Sequence, residues 1–185
     1  MTRLVALFAL VLMGVLAGTA PAAAQNRTPP AAADVVSAAV ARARAERKAV
    51  LIEFGASWCT WCRNFEALVR SADAGAVLAR HFVIVNLIVH EDEGKQALEH
   101  PGGNALMNEW GGATAGLPFY VFLGDTGRKV ADSNAMPDGT NIGFPVTPEE
   151  VRAFLALIAR SARMLSEAER DMLDRYLTRA AAPGA

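Results

Sequence analysis

Residues 49–63 read Ala-Val-Leu-Ile-Glu-Phe-Gly-Ala-Ser-Trp-Cys-Thr-Trp-Cys-Arg. The first six form a short apolar run bounded by charge and by Gly55, which predicts a buried strand. A helical pattern follows from Cys59 to residue 70, with Cys62, Phe65, Glu66 and Val69 on adjacent turns. A cysteine at a helix start meets free backbone N–H groups and the positive end of the macrodipole, and both favour its thiolate. The thiolate is the reactive form. A second cysteine three residues on shares the same face, within disulfide reach. In such a pair Cys59 attacks a substrate disulfide and Cys62 resolves the mixed disulfide.

These are the only two cysteines in 185 residues, too few for a disulfide-stapled scaffold. Two other uses of the pair stay open on the residues alone. One is a local structural disulfide. The other is a metal site, although zinc normally takes four protein ligands, or three and water. His81, His90 and His100 have no spacing that recommends them as partners, while a copper(I) ion would suit two soft thiolates.

Outward from this stretch the chain alternates helical and strand patterns. Residues 34–47 carry Val36, Ala39, Val40 and Ala43 at helical spacing. Residues 81–89 are rich in β-branched side chains and predict a second strand, with His81 at its start. Residues 90–115 are long and irregular, with helical pieces expected near residues 95–99 and before Trp110. Their acidic run Glu91-Asp92-Glu93 reads as a solvated loop. Residues 117–123 predict a third strand, opening on a proline. Residues 124–127 are a hairpin turn signal, and residues 128–133 a fourth strand. Thr147-Pro148-Glu149-Glu150 and Ser166-Glu167-Ala168-Glu169 are capping boxes, each opening an amphipathic helix. A βαβ unit, a hairpin and a packing helix make a layered α/β domain.

At the N-terminus, Arg3 precedes an apolar run from Leu4 to Leu16, and Ala22-Ala23-Ala24 closes it. A basic start, an apolar stretch and a small-residue end predict a signal peptide over residues 1–24, cleaved after Ala24. An uncleaved anchor is the alternative, which Pro21 and the alanines disfavour. Residues 25–33 read as a Pro/Ala linker. Hydrophobic residues make up 52% of the chain and charged ones 20%, which supports a packed core. A net charge of -1 offers no basis for nucleic-acid binding.

Residues 53–63 resemble the active site of the thioredoxin and protein disulfide isomerase superfamily, a strand followed by Trp-Cys-x-x-Cys and a basic residue. Gly116-Leu117-Pro118-Phe119 resembles that superfamily's Gly-apolar-cis-Pro motif, in the expected order. The resemblance covers roughly residues 34–162. It implies a thioredoxin fold: a central mixed four- to five-stranded sheet flanked by helices, in a domain spanning residues 34–163. Residues 164–185 would then be an extra C-terminal helical extension.

For the site, the resemblance implies that Glu53 is a buried acid that shuttles the proton of Cys62, with a raised pKa. A solvent-facing Glu53 at a strand end is the plainer alternative. It further implies a cis Pro118 against the disulfide, and a Leu117 whose backbone pairs with an extended substrate. Trp58, Thr60 and Trp61 would complete the substrate-facing surface, though Trp61 can also be a packing residue. The dipeptide Thr60-Trp61 departs from the well-known members, because no histidine there supports the Cys59 thiolate. That points to a reductant more than a strong oxidase. Arg63 could partly substitute, or be an ordinary solvated helix residue. Residues 90–115 and 134–145 exceed what a minimal domain needs.

The expected protein is an exported, periplasmic thiol–disulfide oxidoreductase and a monomer. It would need no dissociable cofactor and no metal. Its partners would be protein thiols and disulfides and a redox partner protein, with no stable membrane anchor after signal cleavage. A non-catalytic binding or chaperone module of the same fold, and a thiolate metal carrier, are the alternatives from other classes.

Overall fold

The computed structural model describes residues 28–162 and 164–180. The expected signal peptide, its cleavage point and the first residues of the linker lie outside the described residues.

In chain order the elements are α1 (Ala32–Glu46), β1 (Ala49–Gly55), α2 (Thr60–Arg70), α3 (Ala74–His81), β2 (Phe82–Ile88), α4 (Gly103–Met107), β3 (Phe119–Leu123), β4 (Lys129–Asp132), α5 (Pro148–Ser161) and α6 (Glu167–Ala180). The sheet has four strands in the order β2-β1-β3-β4. β1 and β2 are parallel, joined by the long crossover through α2 and α3 that a parallel pair requires, and β3 runs antiparallel to both of its neighbours, β1 and β4. β1 is buried along its whole length, because it has a neighbour on each side and helices on both faces.

Side-chain alternation divides the core in two. On one face Val50, Ile52 and Phe54 of β1 pack with Phe119, Val121 and Leu123 against α1 and Met107. On the other, Leu51 packs with Tyr120 and Phe122 against Phe65 and Leu68 of α2, Val77 and Leu78 of α3, Phe154 of α5, and Leu173 and Leu177 of α6. Glu53 follows Leu51 on this second face, underneath α2.

Several boundaries differ from the sequence expectation. α1 begins at Ala32, two residues inside the expected linker, where the Ala32 N–H is held by the carbonyl of Pro101. α3 is a helix that sequence reading left unassigned. Its tight approach to α2 requires Gly75, where a Cβ would come within 2.3 Å of the Val69 carbonyl oxygen. His81 consequently ends a helix instead of starting a strand, and the Phe82 N–H closes that helix on Leu78. α5 opens on the full capping box of Thr147 and Glu150. α6 is fastened to the domain by Leu173 and Leu177 and by Glu169, which pairs with Arg80 and His81. Among the described residues no helix is long and apolar enough to cross a membrane.

Candidate active site

β1 ends at Gly55, and the loop 56–59 delivers Cys59 to the N-cap of α2. Cys59 and Cys62 are joined by a disulfide with their Cα atoms 5.3 Å apart. The Cys59 sulfur caps the helix, accepting the Cys62 N–H at 3.0 Å. A sulfur that receives a backbone donor at the positive end of a helix is placed where negative charge is stabilised. Both cysteines are buried, at 3% and 6% exposure, while Trp58 and Trp61 on either side of Cys59 are about half exposed, at 47% and 48%. Thr60 is exposed at the first helical position.

Glu53 is 3% exposed. Burial pushes its carboxyl up to about 7, a hydrogen bond from Asn86 opposes the rise, and the nearby negative Glu66 adds to it. Asn86 donates through Nδ2 to Oε2 at 2.7 Å, while Oε1 has no partner among the described residues. Gly55 separates this carboxyl from the Cys62 sulfur. A Cβ there would sit 3.3 Å from Cys62 Sγ and 3.3 Å from Glu53 Oε1, so the missing side chain leaves the space between them open. A cleft of about 240 Å³ bordered by Ser57, Cys62, Glu66 and Asn86 joins this region to solvent.

Leu117 packs against Ala56, Cys59 and Cys62, and the Leu117–Pro118 peptide bond is cis. Leu117 is half-buried and Pro118 buried. Among the described residues neither the N–H nor the C=O of Leu117 makes a hydrogen bond. Strand β3 begins directly after, at Phe119, which fixes this loop beside the disulfide.

The two extra segments both reach the site. Glu91 is buried, contrary to the solvated loop read from its acidic neighbours. Its carboxylate accepts the Ser57 N–H at 2.5 Å and the Ser57 hydroxyl at 2.7 Å. Trp58 donates its indole N–H to the carbonyl of His90 at 2.8 Å. The 90–104 stretch is braced in turn by Glu99, which accepts from the Glu91 N–H and from Asn104. On the 134–145 segment, Phe144 stacks on Trp61 with ring centres 6.3 Å apart. Asn141 donates to the carbonyls of Gly116 at 2.7 Å and Pro118 at 3.1 Å. Arg63 hydrogen-bonds the Ser57 carbonyl and the Thr60 hydroxyl and so braces the loop.

Sequence reading missed Asn86, Gly55, Glu91, Asn141 and Phe144. Asn86 had a signal: it is the one polar residue in an apolar strand, as Glu53 is in the strand beside it.

Residues 31–124 match the family described as Thioredoxin-like. A disulphide isomerase from Xylella fastidiosa aligns with 20% identity over 80% of this chain and 88% of its own, at a TM-score of 0.46. A DsbH oxidoreductase aligns with 21% identity over 65% of this chain and 81% of its own, at 0.40. The C-terminal domain of Neisseria meningitidis DsbD in its oxidised form aligns with 18% identity over 57% and 84%, at 0.40. No curated protein sequence matches the chain.

Proposed function

The chain belongs to the Thioredoxin-like family, and from that premise we propose that it is an exported enzyme of thiol–disulfide exchange that works as a reductant. The observation that carries the reading is the disulfide at the N-cap of α2 with a buried, raised-pKa carboxyl across Gly55 from its second sulfur.

In the reduced form the Cys59 thiolate attacks one sulfur of a substrate disulfide. A bond forms between Cys59 and that sulfur, the substrate S–S bond breaks, and the departing sulfur leaves as a thiolate that takes a proton from water. Cys62 passes its proton towards Glu53 and attacks the Cys59 sulfur. The Cys59–Cys62 disulfide forms, the second substrate sulfur is released, and two electrons have moved to the substrate. A dithiol partner protein restores the reduced pair by the same exchange in reverse. Leu117 supplies the backbone groups that pair with the substrate, Pro118 shapes that loop, and Trp58, Thr60 and Trp61 face the incoming chain. The absence of a histidine between the cysteines supports the reducing direction. The apolar, small-residue-ended segment 1–24 supports export to the periplasm.

The test is Cys62→Ser in the full chain. Cys59 is then expected to retain substrate proteins as mixed disulfides that dissolve on adding a thiol, and Cys59→Ser to retain none. Retention independent of Cys59 would overturn the reading. A redox titration sets the direction: a potential near roughly -270 mV supports the reductant, and one near roughly -120 mV makes the protein an oxidant.

A further inference from the structure

Cys62 and Glu66 stand one turn apart on α2, and both border the cleft of about 240 Å³ that Asn86 lines from β2. Neither Leu117 nor Trp58 nor Trp61 lines it, so it opens away from the face where Leu117 packs on the disulfide. Glu53 lies behind it. Asn86 holds Oε2 of that carboxyl, Oε1 has no partner among the described residues, and Gly55 leaves the space towards Cys62 Sγ unfilled. A carboxyl that exchanges a proton with Cys62 therefore has solvent on a side that a polypeptide lying on Leu117 does not cover.

The groups that face Glu53 are few. On β2 it meets the neutral Asn86, and on β3 Tyr120, whose phenol burial pushes well above 10 and so keeps protonated. α2 brings the Cys62 sulfur, Arg63 and Glu66 to the cleft. Arg63 is turned to the Ser57 carbonyl and the Thr60 hydroxyl. Among the described residues Glu66 is the charged side chain that acts on Glu53, and it is paired with Arg70 one turn further on, Nη2 to Oε1 at 2.6 Å. Negative charge at Glu66 favours a protonated Glu53, and positive charge at Arg70 offsets it. We propose that Glu66 is a positioning residue, balanced by Arg70, that acts through Glu53 and sets the pH at which Cys62 gives up its proton, from the side that substrate leaves open. The proposal rests on the thiol–disulfide reading and deepens it. In the resolving step the Cys62 thiol proton passes to the Glu53 carboxylate and the Cys62 thiolate attacks Cys59. The Cys59–substrate bond breaks with its electron pair on the substrate sulfur, which takes a proton from water, and the proton on Glu53 leaves to bulk water through the cleft.

The test follows the Glu53 carboxyl by carbon-13 NMR titration of the oxidised full chain. Glu66→Gln should lower the titration midpoint, Arg70→Gln should raise it, and Glu66→Asp, which keeps the charge, should restore the parent value. Both side chains are exposed, and an unfolding midpoint measured for each variant separates a shift in charge from a loss of fold. The reduced chains are then mixed with a peptide disulfide, and release of the second peptide thiol is timed in a single turnover against pH. Below the parent midpoint that release should be up to about threefold faster in Glu66→Gln, where Glu53 stays a base to lower pH, and slower by a similar factor in Arg70→Gln. Equal titration midpoints in parent and variants, or shifts of the same sign in Glu66→Gln and Arg70→Gln, overturn the proposal. So does a shift at Glu53 that the release rate does not follow. A parent chain that titrates as expected but reacts with no peptide disulfide overturns the thiol–disulfide reading itself.

Discussion

Asn86 stands directly opposite Glu53 in the parallel β1–β2 register and donates to its carboxyl at 2.7 Å. The acid is buried and its hydrogen-bond partner exposed, so this pair is where the interior of the site meets water.

The pair makes stability depend on pH. The Glu53 carboxyl sits near 7 in the folded chain and at about 4.5 when unfolded, so the folded state holds a proton that the unfolded state has lost. Stability therefore falls as pH rises from about 4.5 through 7, by up to about 3 kcal/mol. Glu53→Gln should remove this slope and be more stable than the parent above pH 7. Denaturant unfolding of both oxidised proteins at pH 5 and pH 8.5 checks it, and parallel slopes would sink the assignment. Asn86→Ala removes the hydrogen bond that opposes the rise, so the pH midpoint should move upward.

Glu91→Ala leaves the Ser57 N–H and hydroxyl without the acceptor they share. The expected loss is about 2–3 kcal/mol, since bonds to a charged acceptor are the stronger kind. Native tryptophan emission should change as well, because Trp58 is tied to the neighbouring His90 carbonyl. An unfolding midpoint equal to the parent's would show that the loop does not need this anchor.

The site was legible in the sequence where its parts are local. Cys59, Cys62 and Glu53 lie within ten residues of one another, and strand and helix periods fix their placement. What was not legible depends on chain segments far apart. Glu91 reaches Ser57 over 34 residues and Asn141 reaches Gly116 over 25, and nothing in either local pattern records the partner. A glutamate in the run Glu91-Asp92-Glu93 looks solvated until the loop folds back and buries it. α3 went unread for a related reason. Its sequence Ala-Gly-Ala-Val-Leu-Ala-Arg-His contains a glycine that weakens helix propensity, and only the closeness of α2 explains why glycine is there.

Tyr120 is wholly buried among Phe65, Phe122 and Phe154, and its hydroxyl has no partner among the described residues. An unpaired buried hydroxyl costs free energy that a phenyl ring does not. Tyr120→Phe should leave stability unchanged or raise it by up to about 1 kcal/mol, read as the denaturant midpoint. A loss above that size would mean that the hydroxyl is satisfied in solution.

Phe144→Leu keeps a buried apolar side chain and removes the ring stacked on Trp61. Stability should fall by about 1 kcal/mol and the native emission should shift to the red as Trp61 gains water. An unmoved spectrum would place Trp61 away from Phe144 in solution.

The acceptor that caps α2 is the sulfur of Cys59, so the oxidation state of the pair is written into the first turn of that helix. Folded and unfolded, oxidised and reduced forms then make a closed thermodynamic square. The difference between the unfolding free energies of the two redox forms equals the difference between the potentials of the folded and unfolded pairs, about 1.4 kcal/mol for every 30 mV. Two melting curves, one of each form, thus act as a potentiometer that needs no partner protein. If the reduced form proves the more stable, the fold itself pulls electrons onto Cys59.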